Sequence, residues 1–221
     1  RWRDEGYMSS TGECFDIGKT TNYALDNYQV TSDAMAGPTG LDRAGNGSIM
    51  RLAPVPMCFY PEQGLVEHFS AESSRTTHGA TACVDACRLL GVVIFRALSG
   101  APKDKVVLGG THLKFGTDKI AAIAAGNYRT KDESDIRGSG YVVESLEAAL
   151  WCFDTTKSFE AAILKSANLG EDADTTAAIC GQVAGAYYGE SGIPQRWREL
   201  VAMREDICEL ANQLHAVNPR T

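Results

Sequence analysis

The chain lacks any apolar run long enough to span a bilayer, for which about 20 consecutive apolar residues are needed. A secretory leader is not expected either, because Arg1-Trp2-Arg3-Asp4-Glu5 is too charged to be one. Positive charge is in short supply: Lys and Arg total 21 against 28 Asp and Glu, a net charge of −7. That balance argues against non-specific binding to nucleic acid or to anionic membrane, both of which need a basic field. It leaves open a small phosphate ligand held by a local nest of backbone N–H groups. Period-two alternation of apolar and polar residues hardly occurs, which argues against a sheet protein. Internal repeats and low-complexity tracts are absent as well. A paired cysteine framework is not expected: the seven cysteines are an odd number, and most lie in apolar, helix-like surroundings. They read as reduced thiols in a cytoplasmic protein. His78, Cys83 and Cys87 invite a zinc reading, but no second Cys/His pair is spaced to complete a tetrahedron. Cys83 and Cys87, at i and i+4, are expected to pack in a helix interface.

What is present suits one helical core. The 221 residues are 44% hydrophobic, enough to bury a full domain. From Tyr141 the apolar positions Val142, Val143, Leu146, Ala149, Leu150 and Phe153 follow helical spacing. Further helices are expected over Gly18–Tyr28, Thr76–Leu98 with Gly100 as its stop, Phe159–Ala167, and Thr175–Tyr187. A last helix is expected from Pro194, with Trp197, Leu200, Val201, Ile207, Leu210 and Leu214 on one side. Long polar loops over 30–47, 101–116 and 127–140 are where a site would sit. The predicted fold class is all-α.

Five segments carry chemistry. Asp172-Ala173-Asp174-Thr175 offers two alternating carboxylates and a hydroxyl, an oxygen set suited to Mg²⁺, Mn²⁺ or Ca²⁺ and not to zinc. The plainer reading of the same residues is a capped helix start. Gly45-Asn46-Gly47-Ser48 could cradle an anion on glycine-rich backbone, or be a simple turn. His78, expected on the first turn of a helix capped by Thr76 or Thr77, would be held neutral by the helix dipole. Asp16 sits among apolar neighbours, as a general acid or base does, or caps the helix that follows it. Tyr141, just after a flexible loop, can flank a sugar or base ring or merely fill a helix start.

Taken together and in order, these segments resemble the ADP-ribosylglycohydrolase family, the relatives of dinitrogenase-reductase-activating glycohydrolase. The pieces are Gly12-Glu13-Cys14-Phe15-Asp16-Ile17-Gly18, the stretch from Gly45 to Arg51, Thr76-Thr77-His78, the stretch from Gly140 to Trp151, and Asp172 to Thr175. The stretch from Gln182 to Gly189 and Ile193-Pro194 complete the run. The resemblance implies an all-α fold over residues 1–221 with a dinuclear Mg²⁺ or Mn²⁺ site. It implies hydrolysis of the glycosidic bond between ADP-ribose and a protein side chain, often arginine. By the same resemblance Asp172, Asp174 and Thr175 are metal ligands, with Asp174 also counted as catalytic. Asn46, Gly47, Ser48 and His78 would lie along the ADP-ribose cleft with Tyr141 lining it, and Asp16 would have a catalytic or substrate-orienting role.

Two departures from the family pattern stand out. Glu171 occupies a position where the family usually has glycine, adding a carboxylate beside the metal loop. The family's Thr-Asp-Asp-Thr motif, which supplies the other half of the metal site, is missing, so the domain is expected to be N-terminally incomplete. The expected partners are an ADP-ribosylated protein or ADP-ribose, and an N-terminal fragment of the same protein. The alternative is a non-catalytic binding or immunity protein that blocks an ADP-ribosyltransferase.

Overall fold

A computed structural model describes residues 1–217. Twelve α-helices run through them: α1 (Trp2–Glu5), α2 (Lys19–Thr31), α3 (Pro54–Phe59), α4 (Gln63–Arg75), α5 (Thr81–Leu98), α6 (Lys103–Val107), α7 (Asp118–Ala124), α8 (Val142–Asp154), α9 (Phe159–Asn168), α10 (Ala173–Tyr188), α11 (Gln195–Leu200) and α12 (Arg204–Ala216). Among the described residues no strand forms; the only ladder contact is an isolated antiparallel bridge between Gly45 and Tyr141. The all-α expectation holds. Among the described residues no helix is long and apolar enough to cross a membrane.

The core is built around α5, which packs against α4, α8 and α10. Leu89, Leu90, Val93 and Ile94 are fully enclosed, and burial extends around most of the helix. A helix apolar on all sides belongs in the interior. Gly91 allows the α4 contact: a Cβ there would fall 2.2 Å from Ser70 Oγ. Helix α8 is buried nearly as thoroughly through Leu146, Ala149, Leu150 and Phe153, as its periodicity predicts. Asp85, buried on α5, accepts from the Gly116 and Thr117 backbone N–H groups at 2.8 and 3.0 Å and from Thr117 Oγ1 at 2.7 Å. Its carboxylate thereby fixes the loop leading into α7.

Two helices differ from expectation. The segment 76–98 is not one helix: α4 ends at Arg75, a turn follows, and α5 begins at Thr81. His78 lies in that turn, and neither Thr76 nor Thr77 caps α5, whose N-cap position is Ala80. The expected final helix is two, broken where Met203 adopts φ +55°. Its apolar stripe is not enclosed by the described residues: Leu200, Val201, Ile207 and Leu210 are exposed.

Candidate functional site

The segments singled out by sequence meet around a cleft of about 660 Å³. Asp16 and the first residues of α2 form one wall, Gly45–Gly47 with Met50 and Arg51 the floor, and His78, Gly140, Asp172 and Thr175 the remainder.

Cys83 and Cys87 on α5 carry the floor. Cys83 Sγ donates to Gly45 O at 3.3 Å, and Cys87 Sγ to Ser48 Oγ at 3.5 Å. Burial pushes their thiols up to about 12 and about 11, so both stay protonated donors. Both are buried as expected of core cysteines, but their thiols meet the loop at 45–48 and not a second helix. Ser48 is enclosed, bonded also to Ser74 Oγ at 3.0 Å. Its hydroxyl supports the loop from beneath and is not on the cleft surface.

Asn46 joins three segments. Its backbone N–H donates to Gly140 O at 3.2 Å, and Nδ2 reaches Ser145 Oγ at 2.8 Å and Asp172 Oδ2 at 2.7 Å. The amide therefore orients Asp172. Asp172 occupies the N-cap position of α10 but makes no side-chain cap bond; its carboxylate turns toward Asn46 instead. Its backbone N–H is held by Gly138 O at 2.8 Å. The alternation of Asp172 and Asp174 suggests an extended loop with both acids on one side. In the structure the helix already runs from Ala173, so Asp172 and Thr175, at i and i+3, share the cleft side. Asp174 is exposed on the first turn, beside the cleft lining and not in it. Among the described residues no three His, Cys, Asp or Glu side chains converge as a metal cage.

His78 is 2% exposed, wedged against Gly47. A Cβ on Gly47 would lie 2.9 Å from its Cε1 and 3.2 Å from its Nε2. Close approach, not a positive φ, is what Gly47 provides. Burial, then the neighbouring Arg51 charge, lowers the imidazole to about 4, so it is neutral near pH 7. Sequence reasoning had the neutral form right and its cause wrong: burial comes first and the Arg51 charge second, and His78 is not on the first turn of α5. Arg51 Nη2 donates to Thr77 Oγ1 at 2.9 Å, and Thr77 Oγ1 lies 2.8 Å from His78 Nδ1. Thr77 Oγ1 keeps a second lone pair after accepting from Arg51, so either Oγ1 or Nδ1 can donate in that pair. Nε2 is the ring nitrogen beside Gly45 and Gly47.

Asp16 is exposed on the cleft wall and does not cap α2, whose N-cap position is Gly18. Tyr141 is half-buried beside Gly45, under Lys119 Nζ at 5.2 Å; Gly140 and not Tyr141 reaches the cleft surface. Glu171 adopts φ +55°, a backbone that favours glycine, and Arg137 draws its carboxylate away with bonds of 3.1 to 3.2 Å. The extra acid is thus committed to an ion pair and is not free beside Asp172. Lys19, Thr21 and Trp2 also reach the cleft, and sequence reasoning missed them as site residues.

The family model for ADP-ribosylglycohydrolase matches residues 1–221. The chain is 38% identical over 221 residues to ADP-ribosylarginine hydrolase Tri1 of Serratia proteamaculans, covering 99% of this chain and 59% of the relative. It is 41% identical over 214 residues to the Tri1 of Pseudomonas putida, covering 97% and 57%. A solved structure described as an ADP-ribosylglycohydrolase-related protein complex superimposes with a TM-score of 0.81 at 35% identity, over 90% of this chain and 69% of that one. The chain belongs to the ADP-ribosylglycohydrolase family. It spans about six-tenths of the length of the curated relatives it matches.

Proposed function

We propose that this chain forms the larger part of an ADP-ribosylarginine hydrolase, which splits the N-glycosidic bond between ADP-ribose and an arginine side chain. The observation that carries the reading is the meeting of Asp16, Asn46, His78, Asp172 and Thr175 around one cleft, from segments up to 159 residues apart in sequence (Asp16 to Thr175). The names of the relatives support the substrate class.

The reaction adds a water oxygen to the anomeric carbon, breaks the carbon–nitrogen bond, and returns a proton to the departing guanidine. Its transition state has oxocarbenium character. In this proposal Asp16 orients the substrate or takes the proton of the attacking water. His78, neutral, presents Nε2 to the ligand. Asn46 keeps Asp172 in a fixed orientation, so that no reorganisation is needed when charge develops.

Mg²⁺ or Mn²⁺ is proposed at Asp172, Asp174 and Thr175. The donors fit in kind: all are hard oxygens, and Asp172 uses only Oδ2 for Asn46 among the described residues. They are too few to enclose an ion, so further donors would come from water, from substrate hydroxyls or from the additional length of polypeptide its relatives have. Such an ion would fix the ribose and lower the pKa of a bound water.

The test is release of ADP-ribose from ADP-ribosyl-arginine with Mg²⁺. A polypeptide extended to the length of the relatives should be active, and Asp174→Ala should lower its rate by about 10²-fold. The chain alone should bind ADP-ribose and release little of it from ADP-ribosyl-arginine. Full activity surviving Asp174→Ala rejects the metal assignment. The alternative reading is a binding protein that blocks an ADP-ribosyltransferase. Inhibition of a transferase by an extended polypeptide without hydrolysis would select it.

A further inference from the structure

Ser145 sits one turn into α8 and is fully enclosed. Its Oγ lies 2.6 Å from Ser139 O, 3.1 Å from Tyr141 O and 2.8 Å from Asn46 Nδ2. Carbonyl oxygens only accept, so the single hydroxyl proton is committed to the backbone, with Ser139 O the shorter contact. That carbonyl is itself fixed, because the turn before α8 is pinned by the Ser139 hydroxyl. It donates to Glu144 Oε2 and accepts from the Tyr141 N–H at 3.2 Å. Toward Asn46, therefore, the Ser145 oxygen can only accept. This decides how the amide lies. Nδ2 carries two protons and faces two acceptors, Ser145 Oγ at 2.8 Å and Asp172 Oδ2 at 2.7 Å. A flipped amide would set its Oδ1 against a carboxylate and against an oxygen with no proton left to give, in a buried place where unmade bonds are costly.

We propose that Ser145 is a positioning residue of the cleft: it locks the Asn46 amide with its NH₂ group toward Asp172, so that Asp172 keeps Oδ2 on the amide and turns Oδ1 to whatever the cleft binds. The proposal rests on the hydrolase reading only for what Oδ1 meets. Asp172 makes no side-chain cap bond to α10, so the amide is what holds its carboxylate among the described residues. The negative charge of Asp172 would by itself attract the amide protons. That attraction weakens when a cation or a ligand proton draws on the carboxylate. The bond from Asn46 to Ser145 involves no charged group and persists when the cleft is filled. The chain of bonds from Ser139 through Ser145 and Asn46 thus ties the start of α10 to the buried helix α8, and the orientation of Asp172 is set before any ligand arrives.

The experiment compares wild type with Ser145→Ala, Ser145→Cys and Ser145→Thr. In the ¹³C,¹⁵N-labelled 221-residue chain without metal, the two Asn46 Nδ2 protons should resonate apart, both shifted downfield by their bonds. Ser145→Ala removes one acceptor, and Ser145→Cys replaces it with a sulfur that accepts weakly. In both, one Nδ2 proton should move upfield and the Asp172 carboxyl ¹³C resonance should move with it. Ser145→Thr keeps the hydroxyl and should retain the wild-type pattern; if its added methyl prevents folding, the Ala and Cys variants still decide. In the polypeptide extended to the length of the relatives, Mn²⁺ binding read by electron paramagnetic resonance should weaken about 10-fold in Ser145→Ala. A merely structural serine would lower stability in urea and leave these resonances and the Mn²⁺ affinity in place, and that result overturns the proposal. So does an Asn46 shift without an Asp172 shift, or both shifts with Mn²⁺ affinity equal to wild type. Shifts as described in a wild type that releases no ADP-ribose sink the hydrolase reading and leave the positioning role standing. Release of ADP-ribose with unmoved Asn46 and Asp172 resonances does the reverse.

Discussion

The floor and the rim of the cleft are built by different rules. Counting with the floor the buried groups beside and beneath it, Asn46, Ser48, His78 and Thr175 are each at most 9% exposed, and the first three are tied to other segments by hydrogen bonds. On the rim, Asp16, Lys19, Asp174 and Glu171 are exposed. Buried polar groups must be satisfied or they cost stability, so the floor is both preorganised and intolerant of change. Rim groups stay solvated and can be altered with little effect on folding. The cleft therefore separates geometry, set by buried amides and thiols, from charge, set by side chains near water.

Acid gives the largest expected contrast. His78 is lowered by burial, and further by Arg51, to about 4 in the folded protein, against about 6.5 unfolded. Between those values the unfolded chain binds the extra proton. Stability from this group is complete above pH 6.5, is lost as pH falls toward 4, and changes no further below it. The window corresponds to about 3 kcal/mol. Carboxylates titrate nearby, so the useful quantity is the difference between wild type and His78→Gln in urea unfolding at pH 7, 5.5 and 4. That difference should shrink as pH falls. A constant difference refutes the assignment of the window to His78.

Gly47→Ala tests the same ring sterically. The added methyl meets His78 Cε1 at 2.9 Å, inside contact distance, in a region with no slack. Overpacking of this kind costs about 2 kcal/mol. Gly64→Ala is the control, because a Cβ at Gly64 meets nothing within 4 Å. It should be neutral or mildly stabilising in α4. Equal destabilisation in the two variants would show that the floor is not the tight region described.

How far the sequence announces this division can be read from particular residues. The core helix 142–154 is legible because its apolar spacing is enforced by the helix's own period. The family motifs locate Asp16, Asn46, Gly47, His78 and Asp172 at the cleft, since ordered motifs encode tertiary proximity indirectly. What sequence could not supply is the division of labour. Ser48 and Asn46 look like ligand-binding groups because they are polar beside glycines, yet their partners, Cys87 and Asp172, lie 39 and 126 residues away. Lys19 and Thr21 carry no local signal apart from the missing acid in the first turn of α2. The break at Met203 defeats periodicity because the apolar pattern continues across it.

Asn46→Ala removes the amide that orients Asp172 and leaves buried acceptors without it. The expected cost is about 1–3 kcal/mol by urea unfolding. Asn46→Asp should be worse, since it sets a second carboxylate where 2.7 Å now separates Nδ2 from Asp172 Oδ2. A neutral result for both would mean that Asp172 is positioned by its backbone alone.

The smallest effect belongs to the rim, and its sign is the informative part. Glu171 holds φ +55°, immediately after Gly170 at φ +75°. A non-glycine residue in that region is strained by about 1 kcal/mol, chiefly by contact of Cβ with the backbone. Against this stands the Arg137–Glu171 ion pair, whose side chains are 60% and 42% exposed. Pairs so open to water contribute little and weaken further with salt. Glu171→Gly should therefore raise stability slightly, by less than about 1 kcal/mol, with the gain growing as salt removes the competing ion pair. Thermal unfolding of wild type and variant at low and high salt reads both the sign and the trend. A loss of stability that persists at high salt would mean that Glu171 orders the loop into Asp172 by more than its charge, and that the boundary between floor and rim runs one residue further out.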